Sequence, residues 1–94
     1  MARILIVDDE ESIRKALVKY LTGLGYDVVA AADGAAALAL VDQQPVDLAI
    51  VDLVMPKMDG VECIRRLKAK NSDIVAIVLT GFGTITTAVE AIKA

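Results

Sequence analysis

Arg3-Ile4-Leu5-Ile6-Val7-Asp8-Asp9-Glu10-Glu11 passes without a break from β-prone apolar residues into four consecutive acids. An apolar run with no polar alternation suits a strand buried on both faces, the situation of a parallel sheet. The same pattern returns at Leu48-Ala49-Ile50-Val51-Asp52. Asp27-Val28-Val29-Ala30-Ala31 is a shorter strand, and Ile74-Val75-Ala76-Ile77-Val78-Leu79 is the purest strand signal in the chain.

Between these runs the spacing changes to that of helices. Ile13, Ala16, Leu17, Tyr20, Leu21 and Leu24 fall on one helical face, and Gly23 and Gly25 end it. Asp33-Gly34 is a turn signal, followed by an Ala/Leu-rich helix over 35–44 that Pro45 stops. After a loop containing Pro56 and Asp59-Gly60, Val61, Ile64, Leu67 and Lys68 mark a third helix. Ile85, Ala88, Val89 and Ile92 begin a fourth. Strict alternation of strand and helix with short connections predicts an α/β, doubly wound parallel sheet with right-handed crossovers.

The bulk composition limits the function. Ninety-four residues make one small domain, here 1–94, and 56% hydrophobic content with 3% aromatics predicts an aliphatic core. A net charge of −3 with no basic run argues against direct nucleic-acid binding by this segment. The single cysteine, Cys63, rules out an internal disulfide and fits a reducing, cytoplasmic setting. No apolar run approaches a membrane span, and the early acids do not suit a signal peptide. Histidine is absent, so imidazole takes no part in the chemistry.

In an open doubly wound sheet the functional crevice lies at the carboxyl ends of the strands, where the winding reverses. For a strand order 2-1-3-4 that point falls between the first and third strands, and Asp8, Asp9 and Asp52 all lie just beyond them. Two like charges about 4 Å apart repel by roughly 1 kcal/mol in water and about 4 kcal/mol at a protein surface. Three carboxylates at one edge therefore recruit a hard, oxygen-loving cation, with Mg²⁺ the first choice, or raise their own pKa values. An aspartate beside such an ion is a nucleophile able to form an acyl phosphate. The alternative is that each aspartate only caps the helix that follows its strand.

Ile4-Leu-Ile-Val-Asp-Asp-Glu10, Leu48-Ala-Ile-Val-Asp-Leu-Val-Met-Pro-Lys-Met-Asp-Gly60 and Ile77-Val-Leu-Thr-Gly81, in this order and spacing, resemble the receiver domain of two-component response regulators. The resemblance spans the whole chain and implies a flavodoxin-like fold. It implies that Asp52 is the phosphoacceptor, charged from a phosphohistidine of a sensor histidine kinase or phosphotransfer protein. Asp9 would bind Mg²⁺ directly and Asp8 directly or through water, with the backbone carbonyl of Val54 as a further ligand. Thr80 matches the switch hydroxyl that bonds the phosphoryl group, and Gly81 would bring a backbone amide to it. Met55-Pro56 would shape the loop beneath Asp52, while Lys57 reads better as a solvated loop residue.

Receiver domains usually carry a fifth strand and helix, a lysine at the end of that strand and an aromatic switch residue on it. The sequence ends at Ala94, within the predicted fourth helix, and Lys93 does not match that lysine. The expectation is a fragment of a longer regulator, a minimal receiver, or a domain whose remainder lies beyond this sequence. Such a chain is expected to bare the fourth strand as an edge and to self-associate into a homodimer through the fourth strand and helix. Mg²⁺ binding through Asp9 and Asp52 is expected to persist, with phosphorylation by acetyl phosphate weak or absent. The tail over 80–94 resembles receivers joined to bacterial transcription activators, including the nitrogen-regulatory class, which implies a DNA-binding or ATPase output domain downstream. Two rival functions are a binding or self-association module with a vestigial pocket, and a Mg²⁺-dependent phosphatase. The latter typically shows Asp-x-Asp where this chain has Asp8-Asp9-Glu10-Glu11.

Overall fold

The computed structural model describes residues 2–53 and 58–79. The elements run β1 (Arg3–Val7), α1 (Glu11–Gly23), β2 (Asp27–Ala31), α2 (Gly34–Gln43), β3 (Leu48–Asp52), α3 (Gly60–Lys70) and β4 (Val75–Leu79). The expected fourth helix and the residues Val54, Met55, Pro56, Lys57, Thr80, Gly81 and Lys93 lie outside the described residues. The four strands form one parallel sheet in the order β2-β1-β3-β4, as the sequence predicts. Among the described residues β4 is an outer strand, and Val75 at its start is exposed.

Strand alternation divides the apolar residues between two faces. Leu5 and Val7 of β1, Ala31 of β2, and Ala49 and Val51 of β3 pack with Ala37 of α2 and with Cys63 and Leu67 of α3 into the main core. Ile4 and Ile6, also buried, point to the opposite face. On that side α1 lies along β1 and β2, where Arg14 and Val18 line a groove with Ala30. Burial pushes the Cys63 thiol up, so it stays protonated and packs as a small apolar group.

Two helix faces differ from the expected stripes. In α1 the half-buried residues are Ile13, Arg14, Leu17, Val18 and Leu21, whereas Ala16, Tyr20 and Leu24 are exposed. The stripe is rotated towards Arg14 and Val18, and the Arg14 side chain donates to the Asp8 carbonyl at 2.8 Å. In α3, Cys63 and Leu67 face the core and Val61 is exposed. The helix begins at Gly60, which is buried, and the inward positions are counted from it.

The two Asp-Gly pairs are helix starts. Asp33 caps α2 by accepting from Ala36 N at 2.8 Å, and Asp59 caps α3 by accepting from Glu62 N at 2.8 Å. Gly25, with φ of 97°, makes the one left-handed turn among the described residues and carries the chain from α1 into β2. At the amino edge of the sheet Arg3 draws three segments together. Its guanidinium reaches the Asp27 carboxylate at 2.8 Å and the Pro45 carbonyl at 3.2 Å, while its backbone N donates to Asp47 at 2.8 Å.

Candidate metal centre

At the carboxyl edge, β1 and β3 are neighbours, with Val7 paired to Val51. Asp8 therefore follows its strand beside the point where Asp52 ends the other. The ladder extends past both strand ends. Asp8 N donates to Ala31 O at 3.2 Å and Leu53 N donates to Leu79 O at 3.0 Å. With strands about 4.8 Å apart, side chains leaving these two ends can meet. Asp8, Asp9 and Asp52 each offer a carboxylate oxygen, and these oxygens all lie within 4.8 Å of one another.

None of the three is the N-cap residue of a described helix; those residues are Glu10, Asp33 and Asp59. The residue before α1 is Glu10, whose side chain makes no capping bond. Asp8 instead folds its carboxylate back to accept from Glu10 N at 2.9 Å. This bond and the Arg14 bond to the Asp8 carbonyl fix both the backbone and the side chain of Asp8.

The three carboxylates are unlike one another in exposure. Asp8 is 2% exposed and is the one buried charged side chain among the described residues, whereas Asp9 is exposed and Asp52 half-buried. Burial holds the Asp8 carboxyl above its ordinary value of 3.8; the amide bond from Glu10 opposes this, the negative charges of Asp9 and Glu10 add to it, and the Arg14 guanidinium opposes it. The set fits a hard divalent cation. It supplies only oxygen donors, converges from two strands, and has a buried member whose charge the protein alone leaves poorly compensated.

The tension at Asp8 gives a measurable result. A carboxyl held above its ordinary value binds its proton more tightly in the folded state. Its contribution to stability is present at low pH and is lost as pH rises through the raised value. Asp8→Asn keeps the acceptor for Glu10 N and removes the charge. In chelator at pH 7 this variant is expected to gain on the order of 1 kcal/mol, since a buried charge and its repulsion from Asp9 and Glu10 disappear. The gain shrinks to nothing below the ordinary carboxylate range. Thermal melts of both proteins across that pH range measure it.

Of the residues singled out in the sequence, Asp8, Asp9 and Asp52 are brought together. Thr80, Gly81 and Val54 lie outside the described residues. Arg14 carries no motif and was legible only as part of a helix; its contact with the Asp8 carbonyl depends on how α1 is rotated.

The chain over residues 4–94 matches the family model described as the response regulator receiver domain. It is 46% identical over 83 residues to the probable transcriptional regulator ycf27 of Guillardia theta, covering 88% of this chain and 32% of that protein. It is 42% identical over 91 residues to the transcriptional regulatory protein ZraR of Salmonella typhimurium, covering 97% of this chain and 21% of that protein. The chain thus spans about a third or less of the length of these curated relatives. Among solved structures, the response regulator TrrA of Thermotoga maritima, in complex with Mg²⁺ and BeF, superimposes with a TM-score of 0.82. That match has 37% identity and covers 88% of this chain and 72% of that one. A sheet ordered β2-β1-β3-β4 with carboxylates at its switch point, and a match over almost the whole sequence, place this chain in the response regulator receiver domain family of two-component signalling.

Proposed function

We propose that this domain accepts a phosphoryl group on Asp52 from a phosphohistidine of a sensor histidine kinase or phosphotransfer protein, in a step that depends on Mg²⁺. The observation that carries the reading is the convergence of the Asp8, Asp9 and Asp52 oxygens within 4.8 Å. A carboxylate oxygen of Asp52 attacks phosphorus. The P–O bond forms as the P–N bond breaks, and the departing imidazole keeps the electron pair and takes up a proton. The product is an acyl phosphate, and attack by water on phosphorus returns the free carboxylate. The domain is thus a phosphoacceptor that assists its own phosphorylation and dephosphorylation rather than a conventional enzyme.

Asp8 and Asp9 would hold Mg²⁺ together with Asp52, and the resemblance adds the Val54 carbonyl. The ion, when bound, supplies positive charge against the transferring phosphoryl oxygens. Asp8 is the pre-set ligand, because Glu10 N and Arg14 hold it in place. Asp9, exposed, is free to meet an ion that still carries water. Thr80 and Gly81 take the roles of phosphoryl contacts by resemblance. The transcriptional regulators among the relatives support a longer parent protein in the cytoplasm whose DNA-binding output responds to this domain.

The first test is calorimetric titration with MgCl₂. The wild-type chain is expected to bind one equivalent, and Asp9→Asn to weaken that binding at least ~10-fold, about 1.4 kcal/mol. Equal affinity in the two proteins would remove the acidic cluster from the reading.

A further inference from the structure

Two glycines occupy the same local position. Gly34 opens α2 directly after its cap Asp33, and Gly60 opens α3 directly after its cap Asp59. Both are buried, and each lacks room for a β-carbon. What blocks that carbon differs. At Gly34 it would meet the Met58 side chain, with Sδ at 2.5 Å and Cβ and Cγ at 3.2 Å. The nearest of these is the far part of an unbranched side chain, which has other rotamers. At Gly60 it would run into backbone: the Asp52 carbonyl oxygen, the Leu53 Cα at 2.6 Å and the Asp52 carbonyl carbon at 3.0 Å. The peptide that joins Asp52 to Leu53 thus lies in space that only a glycine at 60 leaves open.

Leu53, on the far side of that peptide, is held through both of its own backbone groups. Gly60 N donates to the Leu53 carbonyl at 2.9 Å, and Leu53 N donates to the Leu79 carbonyl at 3.0 Å. A β-carbon at 60 would push the Asp52–Leu53 peptide away from α3. The ladder bond to β4 resists a rigid shift, so the displacement must appear as rotation about Asp52. Rotation there swings the Asp52 carboxylate relative to Asp8 and Asp9, which are set independently by β1 and α1.

We propose that Gly60 is a positioning residue for the carboxylate site. Its missing side chain seats the backbone of Asp52 against the start of α3 and so aims the Asp52 carboxylate at the cation shared with Asp8 and Asp9. The inference rests on the reading of those three residues as a Mg²⁺ site and adds to it a residue that touches neither ion nor phosphoryl group.

The test sets Gly60→Ala against Gly34→Ala, with MgCl₂ affinity by calorimetry and thermal stability read on each. Gly60→Ala is expected to weaken Mg²⁺ binding about tenfold or more, the scale seen when a ligand loses its support. Gly34→Ala, at the matching helix start, is expected to stay within about twofold of wild type, since it displaces the Met58 side chain and not the Asp52 backbone. A Gly60→Ala chain that melts earlier yet binds Mg²⁺ as wild type does would make the glycine merely structural and overturn the proposal. Should Gly60→Ala fail to fold, backbone amide resonances of the wild-type chain decide. The Gly60 amide is expected to shift with the midpoint of Asp9-dependent Mg²⁺ binding while the Gly34 amide stays still, and an unmoved Gly60 amide overturns the proposal. A wild-type chain without Asp9-dependent Mg²⁺ binding overturns the parent reading and this inference with it. Wild-type binding together with unchanged affinity in Gly60→Ala overturns this inference alone.

Discussion

Asp52→Asn is expected to abolish Mg²⁺-dependent adduct formation with beryllofluoride, a stable stand-in for the phosphoryl group, and to leave the fold intact. The asparagine amide occupies the same volume but is a poor nucleophile and a poor ligand for beryllium, so the loss should be at least ~10³-fold, as when an enzyme nucleophile is removed. The fold should survive, because Asp52 is half-buried at the end of β3 and asparagine keeps its volume there. Fluorine resonances of the bound fluoride read the adduct, and a thermal melt reads the fold. Retention of the adduct in Asp52→Asn would move the acceptor to Asp8 or Asp9. Loss of both adduct and fold would show that Asp52 is chiefly structural.

The second large effect is on the core. Leu5 is fully buried at the middle of β1, the strand flanked on both sides by β2 and β3, and it packs in the cluster with α2 and α3. Leu5→Ala is expected to cost about 3 kcal/mol, since the neighbouring strands cannot collapse into the gap. A chain of this size has roughly 5–14 kcal/mol of total stability, so the loss is a large share of it. The melting temperature should drop by roughly 10–20 °C. Val61→Ala on the exposed face of α3 is the control, expected to stay within about 0.5 kcal/mol. Comparable losses at both positions would mean that the core does not lie where the burial pattern puts it.

The strands were legible in the sequence because their residues have little alternative. Four apolar β-prone runs, each too short for a helix and each bounded by acids, turns or proline, leave only a buried sheet. The residues of β1 and β2 coincide with the runs at 3–7 and 27–31, and β4 begins one residue later than the apolar run because Ile74 N bonds back to Asn71. The existence of α1, α2 and α3 was equally legible, but helix rotation was not. Periodicity in α1 favoured Tyr20 and Leu24, yet Arg14 and Val18 are the half-buried residues beside Ile13, Leu17 and Leu21, and Arg14 bonds the Asp8 carbonyl. In α3 the pattern pointed to Val61, whereas Cys63 takes the core position. The acid cluster could be foreseen because strand ends fix where Asp8 and Asp52 emerge. The difference in their burial could not, since it depends on the amide of Glu10 and the packing of Arg14. Gly60 read as part of a turn, and its approach to Asp52 shows only once the loop between them has closed.

The knot around Arg3 sits at the far end of β1 from the acids. Four strand residues, Ile4 to Val7, lie between Arg3 and Asp8, a span of roughly 17 Å from one to the other. A fluorophore, affinity handle or surface tether joined ahead of Ala2 would therefore stand clear of the chemistry. Arg3, fastened to Asp27, Pro45 and Asp47, would act as a strain relief, so that tension on the attachment spreads into β2 and the start of β3 before reaching the carboxylates. The amino end is the side from which this domain can be immobilised or lengthened while the edge that carries Asp8, Asp9 and Asp52 stays uncovered.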